Sequence, residues 1–358
     1  MKQIGILDSG VFSDNTGRLS SPRIYEVIRE LEVKGLLTIS DITYVRSQGT
    51  DLLQDEPEGL REIRETERWH VEQNRVENTA EAFKVREIEN QKQVIFDNTE
   101  IIVILMRPSK QRNQLIRDAV ASGKRVIVYP PYFTDNMELQ ELRDALPEET
   151  EERVILWLPY RYSLACTEIL QRFDQKQIGA IALTIKCSSY PKKQFITEFC
   201  SPFLDVMLQI TGKMLTMQLT HQLSSGSPIY NIQGIHPDSV LSSILLTTLG
   251  GSLQNMEAGS MVVYGRQMEH IETRNTFTGI IYRSAEKYHE STEVSHDPSS
   301  SSLTGYRTLM MNCLSDDWAN DLIKPSLHNC DDLQKLLDAL LNVELSINRP
   351  KMEKIRLI

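Results

Sequence analysis

Two apolar runs, the IIVILM of TEIIVILM at 99–106 and the VIVY of RVIVY at 125–129, constrain the fold of this chain more than any other feature. A strand apolar at every position has both faces covered, which is how a parallel strand flanked by helices reads. Between the runs, residues 114–121 predict a helix with Gly123 at its C-terminal cap. The same rhythm begins earlier. QIGIL at 3–7 predicts a strand. A helix follows, capped by Ser20 or Ser21, with Pro22 in its first turn and Ile24, Val27, Ile28 and Leu31 on one face. Gly35 ends it, and ITYV at 42–45 predicts the next strand. Residues 134–146 predict a further helix, capped by Thr134 or Asp135, with Met137, Leu139, Leu142 and Leu146 apolar. Alternation of strand and helix up to about residue 150 specifies a doubly wound α/β domain with a parallel sheet.

The rhythm then changes. Strands are expected at 154–160, 180–189, 244–249, 260–265 and 306–312, and helices at 164–174, 203–221 and 331–342. This is an α+β pattern with an open, largely antiparallel sheet. At 358 residues the chain exceeds what one hydrophobic core supports, so two domains are expected, 1–150 and 151–358. Residues 60–107 contain no glycine or proline, and 51–92 is rich in Glu, Arg and Gln, which predicts a charged helical segment inserted in the first domain. The serine-rich stretch 289–302 is expected to be a mobile loop.

Composition excludes several classes. With 39 basic and 49 acidic residues the net charge is −10, which disfavours nucleic acid and anionic membranes as partners. No stretch approaches the roughly 20 apolar residues of a membrane helix. The N-terminal MKQIGIL is too short for a signal-peptide core, and five scattered cysteines without a C-x-x-C suit a reducing cytoplasm. The seven histidines show no pair at metal-ligand spacing, so no metal is expected. No cysteine has a histidine placed to activate it.

The stretch LMRPSKQRNQLIRDAVASGKRVIVYPP at 105–131 is more specific. It resembles, without a gap, the "a-T-P-N-x-x-H … A-G-K-H-V-x-x-E-K-P" segment of the glucose–fructose oxidoreductase and inositol dehydrogenase family, through Pro108, Ala119, Gly123, Lys124, Val126 and Pro131. Arg161, Ile178 and Gly179 match that family's "R-x-x-P … G-x-I-G" segment, and Asp205 and Gly212 its "D-x-x-x-H-x-x-D … G" helix. The resemblance implies a Rossmann-like dinucleotide domain, an oligomerising second domain with a substrate-binding role, and NAD or NADP as cofactor.

The departures fall on the chemistry. The family's lysine after the glutamate aligns with Pro130, its site histidine with Pro202, and its histidine after the third strand with Arg112. Proline has no titratable group and can replace neither proton-handling residue. The glycine turn aligns with Asp8-Ser9-Gly10-Val11-Phe12-Ser13, so Asp8, Ser9, Gly10 and Phe12 are the cofactor-loop candidates, with only Gly10 matching. A carboxylate at Asp8 would oppose the diphosphate. Arg46 and Ser47, after the second strand, suit a 2′-phosphate and hence NADP, or are surface residues. Arg107, Pro108 and Tyr129 complete the cofactor-binding candidates that the resemblance implies. The groups left for chemistry in the cleft are Tyr129, at the position of the family glutamate, with Tyr160, Arg161 and Asp205.

Two functions are therefore expected. One is a divergent NAD(P)-dependent oxidoreductase reducing a C=N or C=O group of a small or carrier-bound substrate; the thiazolinyl imine reductases also lack the lysine. The other is a non-catalytic relative serving as a binding or partner subunit. Homo- or hetero-oligomers through the second-domain sheet are expected in either case.

Overall fold

The computed structural model describes residues 2–8, 23–44, 98–106, 108–130, 132–133, 136–147, 150–173, 175–187, 195–224, 227–248, 257–266, 270–274, 279–283, 292–295, 304–315, 318, 324–343 and 350–357. The charged segment 51–92 lies outside them. The chain divides into two units, Met1–Trp157 with Asn312–His328, and Leu158–Met311 with Asn329–Ile358.

Unit 1 is built on β1 (Lys2–Asp8), α1 (Arg23–Val33), β2 (Leu37–Tyr44), β3 (Ile101–Leu105), α2 (Lys110–Ala121), β4 (Arg125–Val128), α3 (Asn136–Asp144) and β5 (Val154–Leu156). The strands form one five-stranded sheet in the order β2-β1-β3-β4-β5, every pairing parallel. Each residue of β3 is buried, as an apolar strand covered on both sides must be. Ile24, Val27, Ile28 and Leu31 of α1 are buried. Ser109 caps α2, its hydroxyl accepting from the Arg112 backbone N–H at 3.1 Å. Gly123 ends that turn at φ +77°, a conformation that glycine adopts without steric cost. Because β2 and β3 lie on opposite sides of β1, the carboxyl ends of β1 and β3 mark the topological switch where open α/β sheets bind ligands.

Asn312–His328 completes this unit. Within it, residues 325–327 lie antiparallel beside β5, with the Leu156 N–H donating to Pro325 O at 2.7 Å and the Leu327 N–H to Val154 O at 2.8 Å. Arg125 fastens it further, donating to the carbonyls of Cys313 and Ser315 at 2.6 and 2.7 Å. A division at residue 150 alone gives no sign of this return.

Unit 2 contains α4 (Leu164–Arg172), β6 (Ile178–Cys187), α5 (Ser201–Thr211), β7 (Thr216–Ser224), β8 (Ser227–Ile235), β9 (Leu241–Thr247), β10 (Glu257–Gly265), β11 (His270–Arg274), β12 (Gly279–Arg283), β13 (Thr292–Ser295), most of α6 (Thr304–Leu314), α7 (Asp331–Leu341) and β14 (Lys351–Arg356). Among the described residues nine strands lie in the order β13-β12-β11-β10-β6-β9-β8-β7-β14, and of these only β6 with β9 is a parallel pair. The expected fold class therefore holds: a Rossmann-like parallel sheet plus an α+β unit with a mostly antiparallel sheet.

Four local expectations are corrected. The helix expected over 203–221 stops at Thr211, because Gly212 turns at φ +76° and Met217 and Leu219 then alternate with polar residues as a strand requires. The strand expected at 306–312 is the helix α6; Tyr306, Leu309, Met310 and Cys313 recur at helical spacing and are buried together. The strand expected over 154–160 ends at Leu156, since Pro159 opens a 3-10 turn, Pro159–Tyr162. Within the expected loop 289–302, Thr292–Ser295 pairs with β12.

Candidate functional site

Tyr129 follows directly on β4, its N–H donating to Ile104 O at 3.2 Å, so it extends the pairing of β4 with β3 by one residue. Its ring stacks on Trp157 with centroids 6.3 Å apart and planes 26° apart. The tyrosine is 9% exposed. Pro130 beside it is half-buried, and Pro131 lies outside the described residues. Asp8 closes β1 in register with Tyr44 on one side and Leu105 on the other, which puts its backbone at the switch point. Pro108 is buried just beyond β3. Ser9, Gly10, Phe12, Arg46, Ser47 and Arg107 lie outside the described residues.

The family's third-strand histidine position holds a structural clamp. The Arg112 guanidinium is fully buried, donating to Tyr132 O, to Glu138 Oε1 at 3.4 Å and to Asn113 Oδ1 at 3.4 Å. Burial lowers its pKa to about 10 against the pull of Glu138. Tyr132 in turn donates from its hydroxyl to Trp157 O at 2.8 Å. Arg112 thus ties the start of α2 to the segment after β4.

In unit 2, the turn Pro159–Tyr162 carries two of the expected site residues, both buried. Arg161 Nε donates to Asp205 Oδ2 and its Nη2 to Asp205 Oδ1, each at 2.7 Å. Nη2 also reaches the Cys330 sulfur at 3.3 Å. The two partners are 2% and 1% exposed. Burial alone would lower the Arg161 pKa, but Asp205 and Cys330 outweigh it and hold the guanidinium charged. Burial raises the Asp205 carboxyl above its ordinary value, opposed by Arg161. A fork-to-fork pair of this kind is a fixed joint between the 3-10 turn and α5, not a group free to exchange protons with a substrate. Burial pushes the Cys330 and Cys166 thiols up to about 12, so neither is a nucleophile near neutral pH.

Tyr160, on the same turn, packs its ring against Phe203 of α5 at 5.1 Å and edge-on to Tyr306 of α6 at 6.2 Å. Pro202, at the site-histidine position, sits in the first turn of α5, where a missing N–H costs nothing. A six-residue π turn, Phe195–Cys200, leads into that helix. Arg161 and Asp205 are therefore brought together, Tyr160 precedes Arg161 on the same turn, and Tyr129 belongs to the other unit. Cys330 was invisible to sequence reasoning, because its only signal is a position far along the chain. Among the described residues no group of three or more His, Cys, Asp or Glu side chains converges as a metal site.

The dinucleotide that the sequence resemblance implies meets a mixed set of residues. The buried apolar Met106 and Pro108 past β3, with the Tyr129 ring past β4, fit the faces of flat heterocycles.

The fold is that of two-domain dehydrogenases of the glucose–fructose oxidoreductase and inositol dehydrogenase type, as the Leu105–Pro131 resemblance implies. A dehydrogenase (MviM) from Clostridium difficile superposes with a TM-score of 0.67 at 11% identity, covering 95% of this chain and 99% of that one. UDP-N-acetylglucosamine 3-dehydrogenase from Acidithiobacillus ferrooxidans gives 0.63 at 9% identity, covering 97% of each chain. Myo-inositol dehydrogenase from Lactobacillus casei, solved with NAD(H) and myo-inositol, gives 0.62 at 11% identity over 94% of this chain and 93% of that one. Identity at this level establishes a shared fold. No sequence-family profile and no curated protein matches the chain by sequence.

Proposed function

We propose that this protein is a divergent NAD(P)-dependent oxidoreductase that reduces a C=N or C=O group of a small or carrier-bound substrate. The observation that carries the reading is the parallel sheet in the order β2-β1-β3-β4-β5, with an aromatic ring, Tyr129, at the carboxyl end of β4. Ser9, Gly10 and Phe12 would hold the cofactor diphosphate together with the Asp8 backbone. Arg46 and Ser47 would take a 2′-phosphate, which favours NADP over NAD. Arg107, Pro108 and Tyr129 would border the nicotinamide, which when bound supplies a hydride. The proton for the reduced heteroatom would come from the Tyr129 or Tyr160 hydroxyl, since Pro130 and Pro202 carry none. Arg161 and Asp205, occupied with each other, act as positioning residues for Tyr160.

The test is to titrate the purified protein with NADPH and then NADH while following tryptophan and nicotinamide fluorescence. Trp157 stacks on Tyr129 and reports on that strand end. Saturable quenching with NADPH preferred is the expected result; no binding at millimolar cofactor sinks the reading.

A second reading, a non-catalytic binding or partner subunit, draws on a specific observation. Arg112, Pro202, Arg161 and Asp205 occupy positions aligned with the family motifs, and here each serves packing or an internal bond. The same titration separates the two readings, and a cytoplasmic location suits both.

A further inference from the structure

Tyr129 and Trp157 stand at matching places on neighbouring parallel strands, each one residue past the Val128 and Leu156 pair that closes β4 and β5. The Trp157 N–H donates to Val128 O at 2.9 Å, as that of Tyr129 does to Ile104 O, so both backbones continue the sheet and the two rings stack where it ends. A ring pair is a weak constraint by itself. The chain beyond Tyr129 adds little through its backbone, because the next two residues are prolines with no N–H to donate.

The constraint comes from side chains instead. Tyr132, 2% exposed, donates its hydroxyl to Trp157 O at 2.8 Å. Its own carbonyl accepts from Arg112 Nη2. That nitrogen also faces Glu138 Oε1 and Asn113 Oδ1, each at 3.4 Å, and Asn113 Nδ2 donates to the same Glu138 oxygen at 3.0 Å. The segment Tyr129–Tyr132 is thus tied to Trp157 twice, by the ring stack at its start and a hydrogen bond at its end, and Arg112 anchors the second tie. All six residues belong to unit 1. Withdrawing a guanidinium wholly from water carries a large desolvation cost, which an apolar residue in the same space would avoid. What the guanidinium adds is a fan of donors that reaches the Tyr132 carbonyl and the Glu138 carboxylate at once.

We propose that Arg112 is a positioning residue for the Tyr129 ring, acting in series through Tyr132 and Trp157. The ring is the wall presented at the carboxyl end of β4. That a nicotinamide meets this wall rests on the oxidoreductase reading above; the relay itself does not. The position aligned with the family's histidine after the third strand then serves the site by fixing a ring, without moving a proton.

Two variants interrupt the series at different links. Tyr132→Phe removes only the hydroxyl, and Arg112→Met removes the donors while keeping a long side chain in place. The chain has three tryptophans, so fluorotryptophan labelling gives three fluorine NMR resonances, and Trp157→Phe identifies the one that matters. Each variant is expected to move the Trp157 resonance of the folded protein and to weaken NADPH binding about 10-fold, the scale of one lost hydrogen bond. Because the links act in series, the double variant is expected to bind about 10-fold weaker as well, not the roughly 100-fold that independent effects would give. Effects that multiply overturn the inference, and so does a Trp157 resonance unmoved in Tyr132→Phe. That variant keeps the ring and decides the matter even if Arg112→Met does not fold. A protein that binds neither NADPH nor NADH, yet shows the resonance moved in Tyr132→Phe, supports the relay and overturns the oxidoreductase reading instead.

Discussion

Arg161 and Asp205 are joined by two 2.7 Å hydrogen bonds in the core of unit 2, each partner almost wholly withdrawn from solvent. Sequence position marks both as site residues. Their geometry makes them a joint, and the chemistry asked of them is to stay charged and in place.

Removing one partner leaves an unpaired buried charge. Asp205→Ala is expected to destabilise unit 2 by about 3–5 kcal/mol, while a double replacement by apolar residues of similar volume recovers much of that. Urea unfolding of the three variants checks it. A single variant as stable as the wild type would show that the pair is not load-carrying in solution.

His236 ties the end of α5 to the start of β9. Its Nδ1 lies 3.0 Å from both Thr211 Oγ1 and Gly212 O, and its Nε2 lies 2.9 Å from Ser242 Oγ. Burial lowers its pKa below the ordinary 6.5, so the unfolded chain takes up a proton that the folded chain refuses. Its contribution is complete above about pH 6.5 and is lost as pH falls from there towards the folded value. Stability measured against pH should show this slope in the wild type and lack it in His236→Gln.

Gly305 lies where α6 passes the 3-10 turn that carries Tyr160 and Arg161. A Cβ added there would sit 2.3 Å from the Pro159 carbonyl oxygen, a backbone atom that cannot step aside. Gly305→Ala is expected to cost about 1–3 kcal/mol through overpacking. On the oxidoreductase reading proposed above, it should also lower NADPH-dependent turnover by shifting Tyr160. Differential scanning calorimetry and an NADPH oxidation assay check the two effects separately.

If Tyr129 donates the proton, Tyr129→Phe keeps the ring stacked on Trp157 and removes the hydroxyl. A fall in kcat of about 10²-fold or more, with NADPH affinity unchanged, is then expected. The same loss in Tyr160→Phe instead would move the role to the 3-10 turn.

Much of unit 1 was legible in residues alone. The apolar runs within 99–106 and 125–129, and the cap at Gly123, are local signals: an unbroken apolar stretch is covered on both faces, and a glycine at φ +77° suits the end of a helix. In unit 2 the local signal is weaker. The stretch 306–312 carries enough apolar residues for either a strand or a helix, and its burial with Pro159 and Tyr160 decided for the helix. The helix expected to continue past Gly212 became β7 because Met217 and Leu219 found β8 beside them.

The site divides in the same way. The family resemblance was enough to mark Arg161, Asp205 and Tyr129 as positions of interest, and residue chemistry to show that Pro130 and Pro202, at the family's lysine and histidine positions, cannot move protons. Whether Arg161 is free to act, and that Cys330 joins it from 169 residues away, depend on which distant segments the fold brings side by side. Local propensity acts over a few residues, whereas charge pairing and sheet register are set by contacts that only the closed core creates.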